Sequence, residues 1–131
     1  MATKSYTDLP QSKKLAEILP LESADMHYAT WTILDGEFIV SPNQGSTIKS
    51  MQEDYGNQII PCWSLAALLK IIPKKIKDFN VLRIDIDEKY FSLWYDEVGY
   101  GANTELPYIT MEYPVDACVV MIEKLYKLKL I

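Results

Sequence analysis

Residues 81–95, VLRIDIDEKYFSLWY, alternate apolar and polar side chains on either side of a polar centre, the pattern of two half-buried strands joined by a turn. One register keeps the apolar set together: Ile86 opposite Phe91, Ile84 opposite Leu93 and Leu82 opposite Tyr95. A slip of one residue sets Ser92 against Ile84, which disfavours it. The register leaves Asp87 to Tyr90 as the loop, and an aspartate in first position suits a type I turn. The second face then carries Arg83, Asp85, Asp87, Tyr90, Ser92 and Trp94, with Arg83 opposite Trp94.

Toward the C-terminus, PYITMEY alternates again, with Ile109, Met111 and Tyr113 on one face, and predicts a further strand. YPVDACVVMIEKLYKLKL follows as an amphipathic helix. Pro114 suits its first turn, Val115, Cys118, Val119, Ile122, Leu125 and Tyr126 form its stripe, and Glu123 and Lys127 pair on the other side. Upstream, PCWSLAALLKIIP predicts a buried helix opened by Pro61 and closed by Pro73. Cys62, Leu65, Leu69 and Ile72 make its stripe, widened by Leu68 and Ile71. Before it, residues 41–60 show no sustained period and predict a long mobile loop, with a short strand near Ile59 and Ile60. Glu53 and Asp54 in that loop suit a cationic protein surface better than phosphate.

MHYATWTILDGEFIV reads as another hairpin, because Asp35-Gly36 supplies the two positive φ angles of a type I′ turn. Its two-residue loop predicts Ile33 opposite Phe38 and Trp31 opposite Val40, and Ala29 joins these four on the core face. Thr30, Thr32 and Glu37 take the other side. A short N-terminal helix is predicted from Pro10, then Leu15, Ile18 and Leu19 at helical spacing, with Pro20 ending it.

At 131 residues and 49% hydrophobic content, the chain has the size of one domain with a real core. The expectation is a single α+β domain over residues 1–131, in the order α, hairpin, long loop, α, hairpin, β, α. A mainly antiparallel sheet of about five strands carries the two main helices on one face.

The net charge of −5 and the scattering of the 13 cations argue against a phosphate-backbone binder, which needs clustered Lys and Arg. Lys70, Lys74, Lys75 and Lys77 surround Pro73 at a helix end, where cations complement the dipole. The fragment GSTIKS lacks the Gly-Lys-Ser/Thr order of a phosphate-binding loop. Neither an apolar run long enough for a bilayer nor a signal-peptide segment is seen, so the expectation is a cytoplasmic protein without membrane attachment. Cys62 and Cys118 stand apart from each other and from any metal-ligand spacing, and read as buried free thiols.

Candidates for chemistry are few. His27 alternates in phase with Trp31 and reads as a partly buried strand histidine, since no nucleophile elbow accompanies it. Asp85 and Asp87 share a face near a turn, and a metal-assisted hydrolase using them with Mg²⁺ or Mn²⁺ is the enzymatic alternative, with Lys89 opposing it. The leading expectation is a non-enzymatic protein-protein interaction module needing no cofactor, with Arg83, Asp85, Tyr90 and Trp94 as the partner-binding residues. Aromatic side chains beside arginine are what interfaces favour, and the same face covered by a second layer is the competing expectation. The partner would be a protein, a second copy of the chain included.

In PCWSLAALLKIIP, in YPVDACVVMIEKLYKLKL and in the hairpin DEKYFSLWYD, the chain resembles small uncharacterised proteins of prophages and other mobile elements of gut anaerobic bacteria, over residues from about 12 to the end. The resemblance implies an accessory role and a cytosolic site, and it assigns no functional residue. A hairpin followed by Pro-Val-Asp-Ala is also similar to the partner-binding domain of HicB-type antitoxins, which implies an antitoxin-like or nucleic-acid-associated regulator as a second alternative. The Gly-rich substrate-mimicking segment of that family is not evident in this chain.

Overall fold

The computed structural model describes residues 4–31 and 35–131. Within them the chain is α+β, with four α-helices and two antiparallel sheets of three and five strands, where the sequence predicts one sheet. Two compact units are formed, Tyr6–Ala67 and residues 4–5 with Leu68–Ile131. None of the described helices is long and apolar enough to cross a membrane.

In Tyr6–Ala67, α1 (Leu9–Ala16) opens on a reciprocal cap: the Asp8 carboxylate accepts from the Gln11 N–H, and the Gln11 side chain accepts from the Asp8 N–H. Pro10 lies in the first turn as predicted, and Leu15 is fully buried. Strands β1 (Met26–Ala29), β2 (Ile39–Pro42) and β3 (Ile59–Cys62) form the three-stranded sheet in the order β2-β1-β3.

The first-hairpin register differs from the expected one, because Val40 stands opposite Tyr28, not Trp31. Asp35 and Gly36 do adopt the positive φ angles of 53° and 83° that the turn chemistry requires. The ladder nevertheless closes at Ala29 opposite Ile39. Thr32 and Ile33, and with them the expected Ile33–Phe38 pair, lie outside the described residues. Tyr28 fixes the register through interactions that hydropathy does not encode: its hydroxyl donates to the Thr7 carbonyl at 2.7 Å and its ring meets Tyr6 edge-on at 6.4 Å. Trp31 remains 36% exposed and meets the Tyr55 ring edge-on at 4.8 Å.

The predicted loop over 41–60 contains a helix, α2 (Ile48–Tyr55). Thr47 caps it by accepting from the Ser50 N–H at 3.0 Å, and Gly56 at φ 57° ends it. Ile48 is buried, and the Gln52 amide donates to the Ile59 carbonyl at the start of β3, where the short strand was expected. The next helix, α3 (Leu65–Ile71), starts after Ser64 and not at Pro61, since Pro61 and Cys62 belong to β3. Ser64 is the cap: its hydroxyl accepts from the Ala67 N–H, and both its own N–H and its hydroxyl donate to the Asp25 carboxylate.

In the second unit, β4 (Lys75–Ile76), β5 (Asn80–Ile86), β6 (Phe91–Glu97), β7 (Gly101–Ala102) and β8 (Ile109–Met111) form the five-stranded sheet. The β5–β6 register is the one read from the sequence, with Ile86 opposite Phe91, Ile84 opposite Leu93 and Leu82 opposite Tyr95. β7 and β8 share the other edge of β6, opposite Asp96–Glu97 and Phe91–Leu93 respectively. β4 was not expected; Lys77 and Asp78, at φ 53° and 60°, turn the chain so that Ile76 pairs with Asn80. Lys74 does act at a helix end, its ammonium donating to the Leu69 and Ile72 carbonyls.

Helix α4 (Pro114–Lys127) lies against β6 and β8. Val115, Cys118, Val119, Ile122 and Leu125 are buried as expected, together with Met121, whereas Tyr126 is 44% exposed in the last turn. Beneath α4, Phe91, Leu93 and Tyr95 are buried, and the Tyr95 hydroxyl donates to the Pro73 carbonyl at 2.7 Å. The apolar face narrows at β5, where Ile84 is 42% and Ile86 73% exposed. They share the face of Leu93 and Phe91, but α4 lies chiefly against β6 and β8.

Candidate functional site

The face of the five-stranded sheet opposite the buried one carries Arg83 and Asp85 from β5, Ser92, Trp94 and Asp96 from β6, and Thr110 from β8. Arg83 stands opposite Trp94, as the sequence predicts. The residue that joins them was not singled out beforehand: Asp96 accepts from the Trp94 indole N–H at 2.8 Å with Oδ1 and pairs with Arg83 Nε at 3.3 Å with Oδ2. Its signal was present, since Asp96 lies two residues from Trp94 on one face and diagonal to Arg83, a reach that long side chains span.

Tyr108, in the segment leading into β8, stacks on Trp94 with ring centroids 5.2 Å apart and planes 11° apart. The tryptophan is thus half-buried by its own unit, while Tyr108 itself is 57% exposed. A stacked pair of this kind contributes about 0.5–1.5 kcal/mol beyond area burial. The Arg83–Asp96 pair is solvent-exposed and adds at most about 1 kcal/mol, so its effect is to hold the indole more than to stabilise the fold. Further along, the Ser92 and Thr110 hydroxyls are hydrogen-bonded at 2.9 Å across β6 and β8.

Asp85 stands opposite Ser92, and Tyr90 is half exposed beside the turn. Among the described contacts, neither enters the Arg83–Asp96–Trp94 network. The structure therefore brings Arg83 and Trp94 together and sets Asp85 and Tyr90 toward the turn. Asp87 lies in that turn and accepts from the Lys89 and Tyr90 N–H groups at 2.8 and 2.6 Å, which holds its carboxyl below the usual carboxylate range. Its carboxylate is committed to the turn, so the paired-aspartate hydrolase gains no geometric support. Among the described residues no group of three His, Cys, Asp or Glu side chains is placed to hold a metal ion.

His27 Nδ1 is 2.9 Å from Asn43 Oδ1, and the Asn43 amide donates to the Ala24 carbonyl, so the histidine ties the ends of β1 and β2 together. Both cysteines are free and buried. Cys62 lies in a hydroxyl cluster with Thr7, whose Oγ1 is 2.7 Å from Ser12 Oγ, and burial raises the thiol pKa. Burial likewise pushes the Cys118 thiol up to about 12. Raised thiols are poor nucleophiles at neutral pH, and both side chains read as core. Comparison with family models, curated proteins and solved structures returns no match for this chain.

Proposed function

We propose that the chain is a non-enzymatic protein-protein interaction module that binds through the open face of its five-stranded sheet, with Arg83, Asp85, Tyr90 and Trp94 as contact residues joined by Tyr108. The observation that carries this is the Trp94–Tyr108 stack held by Asp96 and Arg83 on the sheet face opposite the one where Phe91, Leu93 and Tyr95 are buried. Aromatic rings and arginine dominate interface hot spots, and rings fixed before binding lose little conformational entropy when a partner arrives. The cytoplasmic location and the accessory role in a prophage or mobile element belong to the same proposal.

The test is capture of a partner from host lysate, or of a second copy, by the immobilised chain, followed by affinity measurement on the purified partner. Trp94→Ala is expected to weaken that affinity at least about thirtyfold, the loss of about 2 kcal/mol that marks a hot spot. Circular dichroism on the variant verifies that its fold is kept. A partner bound equally well by Trp94→Ala and by Arg83→Ala contradicts the proposal.

A further inference from the structure

In an antiparallel ladder the N–H and C=O of one residue face the same neighbour, and successive residues face opposite neighbours. The Asp87 N–H donates to the Tyr90 carbonyl on the β6 side, and the Leu82 N–H donates to the Lys74 carbonyl on the other side. Arg83 and Asp85 therefore turn their backbone groups toward β6, and Ile84 and Ile86 turn theirs away from it. The ladder with β4 covers only Asn80 and Val81, and Lys74 extends it to Leu82. Beyond that point the outer edge of β5 has no strand beside it among the described residues.

That edge carries charge, in Asp85 with Asp87 and Glu88 beyond it, but lacks the proline, bulge and lysines that most often blunt an edge. The strand runs seven residues without a proline or a bulge, and its outward-facing residues are exposed isoleucines, not lysines. Ile84 and Ile86 lie on one face and the exposed Asp85 on the other, with Asp87 and Glu88 just beyond.

Register arithmetic decides between occupants. A second copy of β5, antiparallel and using the free groups of both isoleucines, sets Ile84 against Ile86 and Asp85 against Asp85, and like charges directly opposed destabilise a pair. Shifting by two residues sets Arg83 against Asp85 but Leu82 against Ile86, and the Leu82 N–H is already given to Lys74. A strand from another protein with apolar residues opposite Ile84 and Ile86 and a cation opposite Asp85 meets neither obstacle.

We infer that the outer edge of β5 is a strand-addition site for an extended segment of a partner protein in which apolar residues alternate with Lys or Arg. This rests on the interaction reading above and specifies the partner's chemistry. Main-chain bonds to Ile84 and Ile86 supply the generic part of the affinity, and the alternation supplies the selectivity.

The probe is a capped peptide containing Thr-Lys-Val-Lys-Val-Thr, titrated into the full chain by calorimetry. Its two valines fall opposite Ile86 and Ile84, and its lysines opposite Asp87 and Asp85. Binding is expected, at least tenfold weaker when both lysines are glutamates, and abolished when both valines are N-methylated. Asp85→Lys, an exposed substitution, is expected to reduce the preference for the lysine peptide. Equal binding of the glutamate peptide, undiminished binding of the N-methylated peptide, or no binding at millimolar concentration overturns the inference. A dimer of the free chain that the peptide displaces also overturns it, by assigning the edge to a second copy. Failure of the peptide while a Trp94-dependent partner is still bound removes the edge proposal alone; loss of both removes the interaction module as well.

Discussion

Truncating Trp63 to alanine is expected to lower stability by about 3–5 kcal/mol, the range for emptying a fully buried tryptophan site. Trp63 follows β3 directly and is 0% exposed, the largest of the fully buried side chains. Two anchors place it: its N–H donates to the Thr7 hydroxyl at 3.1 Å, and its indole N–H donates to the Ser23 hydroxyl at 2.9 Å. The Ser23 hydroxyl in turn donates to the Pro20 carbonyl. Removing the ring opens a cavity and leaves the Ser23 oxygen without its donor. Trp63→Phe keeps most of the volume and removes the indole bond, so it is expected to cost about 1–3 kcal/mol. Equilibrium urea unfolding measures both. A loss below about 1 kcal/mol for Trp63→Ala contradicts the packing described.

Raising the pH is expected to destabilise the chain from the thiol side. The Cys118 pKa is raised from its ordinary 9.0 to about 12 by burial within the apolar stripe of α4, with the Lys74 ammonium opposing. The folded state thus holds the proton more tightly than the unfolded state. The stabilising contribution is fully present below pH 9 and is lost as pH rises from 9 through about 12. Across that window the accumulated loss is on the order of 4 kcal/mol. Urea unfolding at successive pH values from 8 upward follows the decline, and Cys118→Ala is expected to flatten it relative to the parent chain. An identical alkaline slope in parent and variant contradicts the assignment.

What was legible in the sequence followed from side-chain alternation. The β5–β6 register is correct because a slip costs an apolar pair at every step, and α4 is correct because its stripe is wide and its first turn carries Pro114. The first hairpin misled because Asp35 and Gly36 have the expected positive φ angles while the register differs; Tyr28, in that ladder, donates its hydroxyl to Thr7, which lies far away in sequence. The α2 helix was readable and missed. Ile48, Met51 and Tyr55 stand at helical spacing behind a Thr cap, but the surrounding Ser, Asn, Gln and Gly obscured the period. Pro61 reads as a helix start because proline suits a first turn as well as a strand next to one, and Asp25, which fixes Ser64 as the true cap, comes from a distant segment. At the site, parity alone placed Arg83 against Trp94. The stack with Tyr108 depends on how β8 docks on β6, which no local pattern announces.

The claim that β5 presents an open edge beside the Trp94 face makes a parity prediction for single amides. In hydrogen exchange on the free chain, the Arg83 and Asp85 amides, turned into the β6 ladder, are expected to be protected, and the Ile84 and Ile86 amides, turned outward, to exchange far faster. Fast exchange at Ile84 and Ile86 is expected to slow on addition of the lysine-valine peptide. Protection of Ile84 and Ile86 equal to that of Arg83 and Asp85 in the free chain would contradict it, because the edge would then already be occupied.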